Sequence, residues 1–232
     1  MRIGVFCSSN KPHLWDSLYK TLSANDVDWS LCIAGPNPPI EPLPGNVKYI
    51  QTNVKPAQCF FIAEQNTTSD LVSMMSDDTL LSPGCLDNLS KIVNNKMIIA
   101  STKYARGSPY LFRQKGRYIT LSFPFPTVAT MHRETFDEVG IDKNYVAMFW
   151  DLDLAFELVL RGRKVVISDV SFSSDEKGVN RLCKGFGDYG YLLDMWTCGK
   201  KVRDKRKELI DSFVYTPDIL EVSQGRKNPR WV

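Results

Sequence analysis

No two of the six cysteines (Cys7, Cys32, Cys59, Cys85, Cys183 and Cys198) lie close in sequence, and no histidine adjoins any of them. Zinc is held by closely spaced ligand pairs, so this pattern argues against a structural zinc site. Four of the six stand in apolar, strand-like surroundings, and reduced core thiols in a cytosolic compartment are expected. Long hydrophobic runs are also missing. Every apolar stretch is broken by Asp, Lys or Pro, leaving nothing near the ~18 residues that a membrane span requires. The opening Met1-Arg2-Ile3-Gly4-Val5-Phe6-Cys7 is too short in apolar character for a signal peptide and reads as a first strand. Without such a signal, the sequons Asn66-Thr67-Thr68 and Asn88-Leu89-Ser90 carry no weight. Nor is charge of one sign in excess. The 29 Lys and Arg face 26 Asp and Glu, a net of +3, which demands no polyanionic partner.

What is present is an ordinary globular composition, 43% hydrophobic over 232 residues. A chain of this size buries roughly 70–75% of its unfolded surface, enough for a core without disulfides. Short apolar runs alternate with helical stretches through the first hundred residues. Strands are expected at residues 3–7, 29–34, 47–51, 70–75 and 97–101, with helices at 12–22, 56–66 and 83–94. Leu14, Leu18 and Leu22 recur at helical spacing on one face. Pro36, Pro38, Pro39, Pro42 and Pro44 crowd one loop, where proline forbids helix or central strand. Strands that are apolar throughout, separated by helices, predict an α/β fold with a mostly parallel sheet covered on both faces.

Beyond Ser101 the pattern changes to strands at 118–121 and 128–132, a short helix at 134–139, a stronger helix at 151–161 and a strand at 165–168. Residues 171–190 are polar and glycine-rich and read as a mobile loop, and helices around 189–198 and 204–213 close the chain. Within that loop Gly185-Phe186-Gly187-Asp188-Tyr189-Gly190 fits G-x-G-x-x-G. It follows no strand, so the dinucleotide reading is rejected. No repeat or linker divides the sequence, and one domain over 1–232 is expected, with a first half at 1–101 and a second at 102–232.

Two acidic clusters carry the chemistry. In Met74-Met75-Ser76-Asp77-Asp78-Thr79 both carboxylates stand where an apolar strand ends. Ligands of open parallel sheets bind at that end, and adjacent acids are useful there mainly when a cation offsets their repulsion. Oxygen ligands of this kind suit Mg²⁺ or Mn²⁺ held partly by substrate phosphates. The plainer alternative is that the two Asp residues only start a turn. In Phe149-Trp150-Asp151-Leu152-Asp153-Leu154 the carboxylate of Asp151 opens a helix. It reads as an N-cap, as a general base at a cleft rim, or as both.

Lys55-Pro56-Ala57-Gln58, Asp70-Leu71-Val72-Ser73, Ser76-Asp77-Asp78 and Ser82-Pro83-Gly84 together resemble the nucleotide-sugar half of family 2 glycosyltransferases of GT-A fold. Met131-His132-Arg133-Glu134 through Gly140 is similar to the segment preceding that family's acceptor site. Trp150-Asp151-Leu152-Asp153-Leu154, with Arg161-Gly162-Arg163-Lys164-Val165 beyond, is similar to its catalytic-base helix. The order and spacing of these pieces extend the likeness over residues 1 to 170.

The resemblance implies a single GT-A-type α/β domain, with a smaller antiparallel part in the acceptor-binding second half. It implies a metal-dependent, inverting transfer of a sugar from a nucleotide-diphosphate donor to a hydroxyl of a glycan or glycolipid acceptor. Asp151 would be the catalytic base and Asp78 the ligand of Mn²⁺ or Mg²⁺. Asp77 would lie near the ribose or diphosphate, and Ser8, Asn10, Asn37, Lys55 and Gln58 would lie in the nucleotide-contacting loops. Three departures stand out. Met75 occupies the place of an earlier acid, Trp150 replaces a common Glu, and no metal-binding His follows Val165.

A sugar nucleotidyltransferase is the runner-up, disfavoured because Ser8-Ser9-Asn10-Lys11-Pro12 has no glycine. A non-catalytic sugar-nucleotide-binding protein is the alternative of a different class, and it would place Asp78 and Asp151 on separate surfaces. Gln224 to Arg230-Trp231 is similar to the Q-x-x-R-W motif of processive synthases but wrongly spaced. The basic run from Lys200 to Lys207 reads as a solvated helix face, with contact to anionic lipid or a lipid-diphosphate acceptor as the other reading. Nucleic acid is disfavoured because no aromatics interleave with that run. A cytoplasmic location, peripheral to a membrane if that run binds lipid, follows from these expectations.

Overall fold

Strands β1 (Ile3–Ser8), β2 (Trp29–Gly35), β3 (Val47–Gln51) and β4 (Leu71–Ser76) form where sequence periodicity places them, in a computed structural model of the chain. It describes residues 1–104, 111–115, 120–124, 128–174, 187, 188 and 190–192. The further strands are β5 (Thr79–Leu81), β6 (Ile98–Tyr104), β7 (Leu111–Lys115), β8 (Thr120–Pro124), β9 (Thr130–His132) and β10 (Lys164–Ser174). The helices are α1 (Trp15–Ser23), α2 (Pro56–Gln65), α3 (Cys85–Ile92), α4 (Arg133–Asp137) and α5 (Trp150–Leu160). Most of the helix expected at 189–198, the helix at 204–213, the basic run 200–207, residues 224–231, Cys183 and Cys198 lie outside the described residues.

One sheet holds eight strands in the order β3-β2-β1-β4-β9-β6-β10-β5. The first four run parallel, and β9 is inserted antiparallel between β4 and β6. β6 and β10 are parallel again, and β7 pairs with β8 in a separate hairpin. This mixed, mostly parallel sheet with flanking helices agrees with the expected α/β, GT-A-type architecture.

Alternation along β1 supplies two cores. Ile3, Val5 and Cys7 join Leu18 and Leu22 of α1 and Leu86 and Leu89 of α3 on one face. Phe6 joins Phe61 of α2, Phe136 of α4 and Phe156 of α5 on the other. Each fully buried leucine or phenylalanine contributes about 1.5–3 kcal/mol, so both faces hold the sheet firmly. The thiols of Cys7, Cys32, Cys59 and Cys85 are buried and free, and burial pushes Cys32 up to about 11 and Cys59 and Cys85 up to about 12. They are core residues, with no reactive thiolate at neutral pH.

Helix α4 is pinned by Arg133. Its guanidinium pairs with Glu64 at the end of α2 and donates to the Thr67 carbonyl at 3.0 Å. The two side chains are only 11% and 2% exposed, so this is a buried pair.

β10, β5 and β7 differ from expectation, β7 because no strand is expected at 111–115. The strand expected at 165–168 runs on to Ser174, so its last residues belong to the sheet and not to a mobile loop. Its register on β6 shifts between Ile167 and Ser171, and the bent second half reaches β5, pairing Phe172 with Leu81 and Ser174 with Thr79. β5 carries no strand signal in the sequence, because three residues are too few to display a period.

Candidate active site

The carboxylates of Asp77 and Asp78 occupy the two-residue turn between β4 and β5, at the carboxyl end of β4. Each is held. The Ser76 hydroxyl donates to Asp78 Oδ1 at 2.5 Å and lies 3.1 Å from the Thr79 hydroxyl, which must then donate to it. Asp77 Oδ2 accepts from the hydroxyl of Ser9 at 2.7 Å. That same oxygen of Ser9 accepts from Trp15 Nε1 at 2.6 Å and from the Lys11 N–H at 3.1 Å. A hydroxyl has one proton to give and two lone pairs, so Ser9 is fully committed to tying β1, α1 and the acidic turn together. Sequence reading passed over Ser9 in favour of its neighbours Ser8 and Asn10.

Those neighbours form one cluster. Ser8 ends β1, in register with Ala34 of β2 and Ser76 of β4. The Asn10 carbonyl accepts from Asn37 Nδ2 at 2.6 Å, joining the loops after β1 and β2. Lys55 stands at the start of α2, where buried Gln58 accepts the Lys55 N–H at 3.2 Å through Oε1. Gln58 therefore shapes the loop from beneath. The close approach of the first two loops depends on Gly35, since a Cβ there would stand 1.6 Å from the Ser9 carbonyl oxygen. Gly35→Ala is expected to lower unfolding free energy by at least about 1–3 kcal/mol, the usual penalty of overpacking. A urea midpoint equal to that of the parent would refute this packing.

Asp151 lies in the first turn of α5 but does not cap it. The N-cap is Phe149, in the left-handed region at φ 67°, and it offers no side-chain cap. A bulky residue there is strained by roughly 1–2 kcal/mol. The Asp153 N–H donates to the Phe149 carbonyl at 3.0 Å on one side of this corner. On the other, the buried carboxylate of Asp188 accepts the N–H groups of Val146, Ala147 and Met148 at 3.2, 2.7 and 2.9 Å. Asp188 and Tyr191 belong to a helical turn, Tyr191 N–H to Gly187 carbonyl at 3.0 Å, which packs into the core. The far end of the stretch expected to be a mobile loop is therefore fixed at Asp188. Trp150 is core as well, with its ring 4.8 Å from Phe60 and 6.3 Å from Phe6.

This corner aims Asp151 into a cleft of about 310 Å³, whose walls include Ser76, Thr79, Phe60, Met148 and Phe172. Asp78 adjoins that wall through Ser76. Asp151 is half-buried and keeps an opening onto the cleft, yet enough protein crowds it that desolvation raises its carboxyl above the ordinary aspartate value. The N–H groups of Leu152 and of Asp151 itself pull it the other way. A carboxylate with raised proton affinity, in a cleft that Ser76 and Thr79 also line, is equipped to take a proton from a bound hydroxyl.

Among the described residues no three Asp, Glu, His or Cys side chains cluster as a metal cage. No helix among them is long and apolar enough to cross a membrane.

The architecture is a glycosyltransferase fold. No family model matches the chain, and no curated protein matches it in sequence. Solved structures of TarS, a glycosyltransferase of S. aureus, share the fold. Against TarS 1–349 the TM-score is 0.57 at 11% identity, over 84% of this chain and 64% of that one. Against the same fragment in complex with UDP-GlcNAc it is 0.59 at 10% identity, over 92% and 72%. The chain thus spans less than two thirds of the first fragment, and 43% of the longer TarS structure.

Proposed function

We propose that the chain is a metal-dependent, inverting glycosyltransferase of the family 2, GT-A type, using a nucleotide-diphosphate sugar. The observation that carries this reading is the shared cleft, in which Asp151 faces the wall made by Ser76 and Thr79 on either side of Asp77-Asp78. The loop bearing Ser8 and Asn10 is tied to the acidic turn by the Ser9–Asp77 bond and to Asn37 through the Asn10 carbonyl, and these loops with Lys55 would hold the nucleotide, which supplies proximity. TarS binds UDP and UDP-GlcNAc, so a uridine diphosphate donor is the first to test.

The acceptor hydroxyl lies against Asp151, which takes its proton as the oxygen attacks the anomeric carbon. The bond from that carbon to the diphosphate breaks on the opposite side, and configuration inverts. Asp78, bonded to Ser76 of the cleft wall, would hold Mn²⁺ or Mg²⁺, an ion that offsets charge on the leaving diphosphate. A single carboxylate at a turn fits a cation ligated chiefly by phosphate oxygens and water. The acceptor is a glycan or glycolipid, and the cytoplasmic and peripheral membrane placement proposed from the sequence goes with it.

Thermal shift tests the donor and metal assignments together. UDP at 100 times its Kd stabilises by about 2.7 kcal/mol through mass action. We expect Mn²⁺ to strengthen the UDP shift in the parent and to have no effect on it in Asp78→Ala, with the ligand-free melting temperature little changed. A Mn²⁺-dependent shift that survives in Asp78→Ala would remove the metal from this residue. Release of sugar from UDP-GlcNAc or transfer to an acceptor then tests the activity itself.

A further inference from the structure

We propose that Asp188 is the positioning residue of the Asp151 site. Its carboxylate clamps the backbone of residues 146–148 and thereby holds Phe149 in the left-handed conformation from which Asp151 enters the cleft. Only the kinetic part of the test rests on the glycosyltransferase reading.

Asp188 is 5% exposed, and its two oxygens receive three successive backbone N–H groups. Bonds from N–H to an ionised carboxylate are about twice as strong as neutral ones. Three in a row leave the segment little freedom, and Met148 is directly followed by the strained Phe149. The segment is gripped elsewhere too. The Val146 carbonyl accepts the Ala57 N–H of α2 at 3.1 Å, and Tyr191 donates to Asp142 Oδ2 at 2.8 Å. Asp142 Oδ1 in turn accepts the Asn144 N–H at 2.9 Å. The last residues before the strained corner, however, are held by Asp188. A phenylalanine left to its own preference would leave φ 67°, rotating the start of α5 and moving Asp151 with it. Asp188 touches no reacting atom and acts through the corner.

A double-mutant cycle separates this role from simple anchoring of residues 187–192. Glycine adopts the left-handed region without penalty. If Asp188 opposes the preference of Phe149, Asp188→Asn lowers the melting temperature less in a Phe149→Gly background than in the parent. Equal losses in the two backgrounds, the additive result, would overturn the proposal. Hydrogen exchange on the unmutated protein gives a check that needs no variant to fold. The Val146, Ala147 and Met148 amides should be protected, and rapid exchange at these amides would also overturn the proposal. In transfer assays Asp188→Asn should lower kcat by roughly 10²-fold, the cost of a group displaced by about an ångström, with donor KM unchanged. An unchanged kcat would refute the positioning role. If the parent itself transfers nothing, the glycosyltransferase reading fails, while the cycle and the exchange still decide whether Asp188 holds the corner.

Discussion

An Asp151→Asn protein is expected to melt at a higher temperature than its parent at pH 7, yet to transfer sugar roughly 10²–10⁴-fold more slowly. Both effects come from removing the same ionisable group. Burial raises the Asp151 carboxyl above its ordinary value of 3.8, so folding favours the protonated form. The stability that this group contributes is complete below the unfolded value and is lost as pH rises through the raised folded value. At pH 7 the parent has lost it, and asparagine, which never ionises, has not. The two melting curves should converge below pH 3.8. Asparagine also keeps an oxygen for the Leu152 N–H, so α5 should start unchanged. Melting and transfer measured on this one variant decide the matter. Near-normal transfer by a well-folded Asp151→Asn would remove the proposed base, and lower stability at neutral pH would remove the electrostatic account.

The second large effect is expected at Arg133. Arg133→Met removes the guanidinium paired with Glu64 and leaves a carboxylate that is 2% exposed. Breaking one half of a buried pair costs about 3–5 kcal/mol, because the remaining charge stays desolvated without its opposite charge. Replacing both halves with apolar residues should recover most of that loss. Urea unfolding of Arg133→Met and of Arg133→Met with Glu64→Leu measures the difference. A double variant no more stable than the single one would show that the pair is not the source of the loss.

Much of the fold is legible where burial acts through local pattern. β1 to β4, α1 and α2 announce themselves because their apolar residues recur at the spacing each element needs. Pro56 opens α2, where a missing N–H costs nothing. The acidic turn and Asp151 were also readable, since both sit at the ends of such elements. The failures share another cause. Asp151 reads as a possible N-cap, but Phe149 takes that place in the left-handed region, next to backbone held by the distant Asp188. Asp188 was hidden in a glycine-rich stretch whose composition says loop, because its partners lie about forty residues away in sequence. Ser9 is one serine among two, and only the arrival of Trp15 and Asp77 distinguishes it. Residues 111–115 mix charged and apolar side chains and gave no strand signal before β7 was seen beside β8.

The inserted strand β9 bears on how the chain is made. Synthesis is vectorial, and N-terminal segments fold first as the chain emerges at roughly 5–20 residues per second. Once residue 76 is out, β3, β2, β1 and β4 have all their parallel partners, so the first half of the sheet can assemble early. The outer edge of β4 then stays open until His132 has been made, because β9 is its next neighbour. An open edge is a template for pairing with the wrong chain. β6 waits for the same strand, and for β10 after it. A three-residue segment therefore forms the seam between the two halves of the sheet. A nascent chain halted before β9 would carry a formed acidic turn and an exposed edge, with the helix that bears Asp151 still unmade.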